Sequence, residues 1–206
     1  ELILLDIKED LNKLGIVHDN FVSEKELSTE KKVNQIKEKL LKKDLVYFGF
    51  QEPPKGISAE NWVKKKQLIF KSKKINDDSD RALIKPNGEL TYFMSDIIYH
   101  VEKLKKEFDI LINIWGIDHS GYVSRLKNAV DVIKNRDFDF RIKLTALVNL
   151  IKNKKSLKMS KREGVYVTLR EVIKEVGKDS LRFMMISRSS DKIIDFDFDL
   201  IKQKTK

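Results

Sequence analysis

Apolar residues recur at intervals of three and four along much of the chain, a spacing that places them on one face of an α-helix. Ser28 and Ser95 stand where they would cap two of these helices, and Gly177 separates the last two. The pattern predicts helices over residues 1–15, 28–43, 95–108, 123–133, 169–176 and 179–187.

Shorter apolar runs between these helices predict β-strands. The sequence Pro86-Asn87-Gly88 indicates a hairpin turn between two of them, because Asn-Gly favours tight turns. The almost uninterrupted apolar run at residues 110–114 is typical of a buried parallel strand. The predicted strands cover residues 45–50, 62–70, 82–85, 89–93, 110–114 and 140–151.

A strand–loop–helix–strand unit follows from the elements at residues 110–151 and implies a parallel sheet. The loop at residues 115–121 then lies at the carboxyl end of a strand, where ligands usually bind in such sheets. Its Gly116 would let a nucleotide approach the backbone, and Asp118 would accept a ribose hydroxyl. The alternative is an ordinary tight turn with a surface aspartate.

The amino-acid composition excludes some classes of function but does not identify a single one. The chain has 206 residues and a formal net charge of +10, which favours phosphates, nucleic acid or acidic lipid as partners. The absence of cysteine excludes disulfides, cysteine–zinc sites and thiol catalysis, and with three histidines we predict no metal site. No apolar run approaches the ~20 residues of a membrane span, and no signal-like segment opens the chain. We therefore expect a cytoplasmic protein without membrane contact.

The strongest local signal is the segment KMSKR at residues 158–162. It lies in a stretch, residues 152–162, with six basic residues and no acidic one. Lys158 and Lys161 would offset the charge that develops on a leaving pyrophosphate, and the hydroxyl of Ser160 would add a hydrogen bond. From charge alone, a solvated basic turn is the alternative.

Several motifs together resemble one enzyme family. KMSKR is similar to the KMSKS signature of class I aminoacyl-tRNA synthetases, with Arg162 in the last place. WGIDHSGY, at residues 115–122, resembles the WGADHHGY loop of arginyl-tRNA synthetases, with Ile117 and Ser120 as departures. TYFMSDIIYH, at residues 91–100, resembles their TYLTxDIAYH segment. The chain is similar to the middle of a bacterial-type arginyl-tRNA synthetase from residue 77 to about residue 200, with further matches at residues 81–85, 147–150, 167–172 and 195–200.

The resemblance implies a role for particular side chains. It implies that Tyr92 and Asp96 line an arginine pocket, which suits a guanidinium, since that group prefers a carboxylate and a ring to stack on. The alternative places Asp96 at a helix start for its dipole and Tyr92 in the core, at the end of the preceding strand. The implied groups are catalytic Lys158 and Lys161; ATP-binding Gly116, Asp118, His119, Leu157, Met159 and Ser160; and arginine-binding Tyr92, Asp96 and His119.

The resemblance also implies an α/β fold in three parts. Residues 1–80 would be an α+β insertion. Residues 81–165 would be the second half of a Rossmann-like class I catalytic domain, with the KMSKR loop. Residues 166–206 would be helices that lead towards an anticodon-binding domain.

The implied activity is that of an arginine–tRNA ligase, which forms arginyl-adenylate from arginine and ATP, with Mg²⁺, and transfers the arginyl group to tRNA(Arg). We expect the full-length enzyme to be monomeric. The chain has no H-x-G-H sequence, the HIGH motif of class I synthetases, so we expect a fragment that is inactive alone. Half of a parallel sheet would also leave an apolar face uncovered. The alternatives are another adenylyl-transferring class I enzyme and a non-catalytic basic RNA-binding module.

Overall fold

The computed structural model describes residues 2–51, 65–157, 159 and 166–204. The chain divides into two compact units that alternate along the sequence. Unit 1 comprises Glu1–Phe21, Ile114–Ser120 and Lys143–Lys206, and unit 2 comprises Val22–Asn113 and Gly121–Ile142. Helices and strands are mixed in both units, which confirms the predicted α/β class.

Unit 2 packs four helices against a small antiparallel sheet. The strands β1 (Val46–Gly49), β2 (Gln67–Phe70) and β3 (Arg81–Ile84) lie in the order β1-β2-β3. The core is apolar and is centred on Leu40, Phe70, Leu83, Ile97 and Ile133. The helices are α2 (Glu24–Leu27), α3 (Glu30–Lys42), α4 (Tyr92–Leu104) and α5 (Val123–Ile133).

Helix α4 begins earlier than the sequence predicted. Thr91, not Ser95, is its N-cap, and the Thr91 side chain accepts a hydrogen bond from the backbone N–H of Met94. The Thr91 hydroxyl in turn donates to the backbone oxygen of Ala82, which anchors the start of the helix to β3. The hairpin turn forms, but only an isolated bridge between Ile84 and Leu90 replaces the predicted second strand, because the helix starts directly after it. The N-cap position of α3 is likewise Thr29, not Ser28, but the Thr29 side chain makes no capping hydrogen bond.

Strands β4 (Ile110–Gly116) and β5 (Asp139–Thr145) form a two-stranded sheet, and each runs from unit 2 into unit 1. At their starts the N–H of Asp139 donates to the oxygen of Asp109 at 2.9 Å, and at their ends the Thr145 hydroxyl donates to the oxygen of Trp115 at 3.1 Å. The N-terminal ends of β4 and β5 therefore lie together, and so do their C-terminal ends, which means that the strands are parallel, as predicted.

The prediction that residues 110–114 are buried is wrong. Ile110, Ile112 and Ile114 are 52%, 49% and 72% exposed, whereas Asn113 on the opposite face of β4 is buried. Alternate residues of a strand point to opposite faces, so one face of β4 is apolar and exposed.

Unit 1 is built around a second small sheet. The predicted strand at residues 140–151 is in fact two strands, because β6 (Val148–Lys152) begins after a break at Ala146 and pairs with β7 (Lys155–Ser156) and β8 (Ile194–Asp197) in the order β7-β6-β8. Phe196 and Phe198 centre its core. Its helices, α1 (Leu2–Lys13), α6 (Leu169–Val176), α7 (Lys178–Ile186) and α8 (Phe198–Lys204), include the predicted ones at residues 1–15, 169–176 and 179–187.

Helix termini in unit 1 follow from local chemistry. Thr168 and Glu171 form a reciprocal capping box at the start of α6, and Gly177, with a φ of +81°, ends it in a conformation that favours glycine. Among the residues described, none of the helices combines the length and the apolar character that a membrane span requires.

Candidate functional site

A cavity of about 290 Å³ opens in unit 2 beside the first turns of α4. Because Tyr92 is the first helical residue, it shares a helix face with Asp96 four positions later. Tyr92 is 88% exposed, which excludes the interpretation of this ring as a core residue. The cavity is lined by Val22, Glu24, Leu27, Tyr92, Ser95, Asp96 and Tyr99. The structure therefore brings together the two side chains that the sequence assigned to an arginine pocket.

Helix α2 supplies a second carboxylate, Glu24, to the same cavity. Ser23 caps this short helix by accepting a hydrogen bond from the N–H of Glu26, so that Glu24 is fixed in the first turn. Glu24 was not predicted from the sequence, because no spacing or motif relates it to Asp96. Two carboxylates and two tyrosine rings now line one cavity, a combination that suits a flat organic cation.

The carboxylate of Asp96 is held by Tyr122, which the sequence analysis did not single out. The Tyr122 hydroxyl donates to Asp96 Oδ2 at 2.7 Å. Burial raises the pKa of Tyr122, and the negative charge of Asp96 raises it further, so the phenol remains a donor at neutral pH. The only signal in the sequence was its place as the last letter of the WGIDHSGY motif.

The ring of Tyr122 is itself fixed by neighbours in unit 2. It packs edge-on against Phe93, with ring centroids 6.1 Å apart, and the Arg125 guanidinium lies 5.4 Å from its centroid. Arg125 pairs with the nearly buried carboxylate of Asp77 at 2.7 Å, and Asp77 also pairs with Arg81. The donor of Asp96 is thus set in place by a connected group of side chains.

The predicted ATP loop lies in unit 1 and is more open. Gly116 ends β4, and residues Ile117–Tyr122 form a 3₁₀ turn. The side chains of Asp118 and His119 are 72% and 61% exposed, and they approach each other at 3.7 Å. A Cβ on Gly116 would lie 2.4 Å from Asp118 Oδ1, so glycine lets the Asp118 carboxylate lie against the backbone.

His119 was assigned to both ATP and arginine. It lies in unit 1, whereas Tyr92 and Asp96 lie in unit 2, and its described contacts are with Asp118 and with the Trp115 ring at 6.0 Å. Its assignment to arginine stays a prediction.

The KMSKR segment is described only in part. The N–H of Leu157 donates to the oxygen of Leu150 at 2.8 Å, and the Leu157 side chain packs on the unit 1 core. Met159 is exposed. Three of the predicted residues, Lys158, Ser160 and Lys161, lie outside the described residues.

Comparison with known proteins identifies the family. The chain is 48% identical over 200 residues to the arginine–tRNA ligase of Pelagibacter ubique and 46% identical over 204 residues to that of Wolbachia pipientis. The chain belongs to the arginine–tRNA ligase family. These matches cover 97% and 99% of the chain but 35% and 36% of the relatives, so the chain spans about a third of their length. No family model matches the chain.

Solved structures of an arginyl-tRNA synthetase and of a methionyl-tRNA synthetase share the fold. The arginyl-tRNA synthetase structure from Campylobacter jejuni superimposes on 98% of this chain and 40% of that one, with a TM-score of 0.79 and 29% identity. Methionyl-tRNA synthetase from Mycobacterium tuberculosis matches 96% of the chain and 53% of its own, with a TM-score of 0.67 at 10% identity, which indicates fold likeness alone. The family membership confirms the resemblance drawn from the motifs and disfavours a non-catalytic RNA-binding module.

Proposed function

We propose that the protein containing this segment is an arginine–tRNA ligase. It activates arginine with ATP to arginyl-adenylate and transfers the arginyl group to tRNA(Arg). The observation that carries the substrate choice is the cavity beside α4, which is lined by Asp96, Glu24, Tyr92 and Tyr99.

In this proposal Asp96 accepts the forked hydrogen bonds of the guanidinium. Arginine donates in a planar fork that matches a carboxylate, and such charge-assisted pairs are the stronger hydrogen bonds. Tyr122 holds one oxygen of Asp96 before substrate arrives, so that little order is lost on binding. Tyr92 and Tyr99 offer ring faces to the flat cation.

Glu24 is proposed as a second anionic wall of the pocket. A cavity with two carboxylates favours a cationic side chain and disfavours neutral or acidic amino acids, which offer these carboxylates no positive charge. Residue Glu24 belongs to the region that the sequence analysis assigned to an insertion, so this region would take part in substrate choice.

The adenylation step needs position and charge stabilisation rather than covalent catalysis. The carboxylate of arginine attacks the α-phosphorus of ATP, the bond to the β-phosphate bridging oxygen breaks, and pyrophosphate leaves. We propose that Lys158 and Lys161 stabilise the negative charge on that leaving group. We assign contacts with ATP to Gly116, Asp118, His119, Leu157, Met159 and Ser160. A magnesium ion would travel with the phosphates of ATP, which are its usual ligands in such reactions.

Transfer to tRNA(Arg) completes the proposed reaction. The net charge of +10 favours this polyanionic partner. We further propose a cytoplasmic, monomeric enzyme, in keeping with the expectation from sequence.

The test is amino-acid-dependent exchange of pyrophosphate into ATP, with tRNA present, in the natural protein that contains this segment. Arginine is compared with citrulline, whose neutral urea group has nearly the shape of the guanidinium. We expect arginine to be preferred by on the order of 10⁴-fold, since the neutral urea group of citrulline offers no positive charge to the carboxylates. Exchange driven by a different amino acid would instead support another class I adenylyl-transferring enzyme.

A further inference from the structure

A pair of buried polar side chains joins α4 to β4. His100 and Asn113 are 1% and 5% exposed and lie within unit 2. Burying two polar groups in a core costs free energy unless their hydrogen bonds are made, so the partners of this pair indicate what it holds in place.

The hydrogen bonds of the pair determine its protonation. The side-chain nitrogen of Asn113 lies 2.9 Å from His100 Nε2, and His100 Nδ1 lies 2.7 Å from the backbone oxygen of Asp96. The amide NH₂ can only donate, so Nε2 is the acceptor and Nδ1 carries the proton. His100 Nδ1–H therefore donates to the backbone oxygen of Asp96.

A third residue fixes the direction of the Asn113 amide. Lys103 Nζ donates to Asn113 Oδ1 at 3.0 Å, and the same ammonium lies 4.1 Å from the centroid of the Tyr99 ring. The amide oxygen thus faces Lys103 and the amide nitrogen faces His100. Burial lowers the pKa of His100 to about 4, so that the ring is neutral and keeps this tautomer at neutral pH.

These contacts act on the turn of α4 that carries Asp96. A backbone oxygen has two lone pairs, and in a helix one accepts the N–H four residues on. The imidazole of His100 adds a second hydrogen bond to the Asp96 oxygen. Through Asn113 this turn is tied to β4, the strand that ends at Gly116 three residues later.

We propose that His100 and Asn113 are positioning residues that fix the backbone of Asp96, and thereby its carboxylate, for recognition of the arginine side chain. The inference rests on the proposed function. It explains why α4 and β4 meet through a directed hydrogen-bond chain at this point, where an apolar pair would fill the space without cost. The chain ends on the backbone of the residue that recognises substrate.

Two substitutions separate the two ends of the imidazole. The side-chain amide of Asn reaches approximately the position of Nδ1, and that of Gln approximately the position of Nε2. His100→Asn therefore keeps a donor for the Asp96 oxygen, whereas His100→Gln keeps a partner for Asn113 and loses that donor. Val101→Ala is the matched control, since it removes buried volume from the next residue of α4 without touching the hydrogen bonds.

The variants are made in the natural protein and assayed by pyrophosphate exchange. We expect His100→Gln to raise the arginine KM about five- to tenfold, the worth of one hydrogen bond, with the ATP KM and kcat little changed. His100→Asn should stay within about twofold of the wild-type arginine KM. Equal arginine KM values in His100→Gln and His100→Asn would overturn the proposal. So would a rise in the ATP KM of His100→Gln parallel to the rise in its arginine KM, because a generally destabilised protein such as Val101→Ala would show the same pattern.

Hydrogen exchange at the backbone amides of residues 96–100 gives a readout without substrate. We expect faster exchange in His100→Gln than in His100→Asn, because only the former frees the Asp96 oxygen from its second bond. Identical exchange would refute the positioning role even in a protein that activates arginine. If the wild-type protein did not activate arginine, but hydrogen exchange still differed between His100→Gln and His100→Asn as expected, the proposed function would be refuted. The positioning of Asp96 would remain supported.

Discussion

Asp96 and Asp118 are both aspartates that the sequence assigned to substrate sites, yet their surroundings differ. Asp96 lines a cavity, takes a hydrogen bond from the buried Tyr122, and has its backbone held by His100. Asp118 stands in a 3₁₀ turn with most of its side chain exposed, and its described partner is an exposed histidine 3.7 Å away. The proposed arginine pocket is thus built by contacts within the protein, whereas the proposed ATP loop presents its groups to solvent.

This difference has an energetic meaning. A carboxylate that is fixed before binding loses little entropy when substrate arrives, and low local dielectric strengthens its interaction with a cation. An exposed carboxylate is screened by water and contributes less. We therefore expect substitutions around Asp96 in unit 2 to raise the arginine KM strongly. Substitutions in the unit 1 loop should raise the ATP KM more weakly.

The largest effect is expected from Asp96→Asn. The amide has nearly the shape of the carboxylate but replaces a charge-assisted fork by a neutral contact, which should raise the arginine KM on the order of a hundredfold. The ATP KM should change little. Asp118→Asn is the matched change in the exposed loop, and it should raise the ATP KM severalfold and leave the arginine KM unaltered. The measurement is steady-state pyrophosphate exchange kinetics for the two variants. Equal arginine KM values in Asp96→Asn and Asp118→Asn would contradict the distinction between the two sites.

The next effect concerns pH and sharpens the contrast in burial. An unfolded His100 takes up a proton near its ordinary pKa of 6.5, whereas burial in the folded protein lowers that pKa to about 4. The unfolded state binds more protons between these values, so the free energy of unfolding falls as pH is lowered through this window. The loss approaches roughly 3 kcal/mol at its lower end.

Urea denaturation of the natural protein at a series of pH values, compared with His100→Asn, would measure this contribution. The difference in stability between the two proteins should shrink from pH 6.5 to pH 4, because Asn has no proton to gain. A constant difference across the window would mean that His100 is not buried as a neutral ring.

The sequence predicted those elements whose signal is local. Helices at residues 123–133 and 169–176 agree with α5 and α6, because their apolar spacing lies within the helices themselves, and the residues that cap α6 directly adjoin it. The start of α4 was missed because Thr91 caps it and is anchored by a hydrogen bond to Ala82 on β3, a contact that helical spacing does not show. A continuous apolar run likewise does not tell how a strand is covered, and so the exposure of Ile112 was not foreseen.

The candidate site divides in the same way. Tyr92 and Asp96 were found because a motif holds both within five residues. Glu24 and Tyr122 meet Asp96 only through the packing of α2 and of the turn before α5 against α4. Nothing in their spacing along the chain encodes that meeting, so tertiary structure was needed to add them.

The smallest effect is expected from Tyr122→Phe. The ring and its contacts with Phe93 and Arg125 are kept, and only the hydroxyl that donates to Asp96 Oδ2 at 2.7 Å is removed. Asp96 keeps its charge but loses one group that orients it, so the arginine KM should rise about two- to tenfold, the net worth of one hydrogen bond. Tyr47→Phe provides a matched control, because the Tyr47 hydroxyl also donates to an aspartate of unit 2, Asp80 at 3.1 Å, away from the cavity. Pyrophosphate exchange kinetics should show the rise in arginine KM in the Tyr122 variant alone. The same arginine KM in both variants would mean that Asp96 is held in place without Tyr122. The pocket would then be less fully assembled before binding than the comparison with Asp118 suggests.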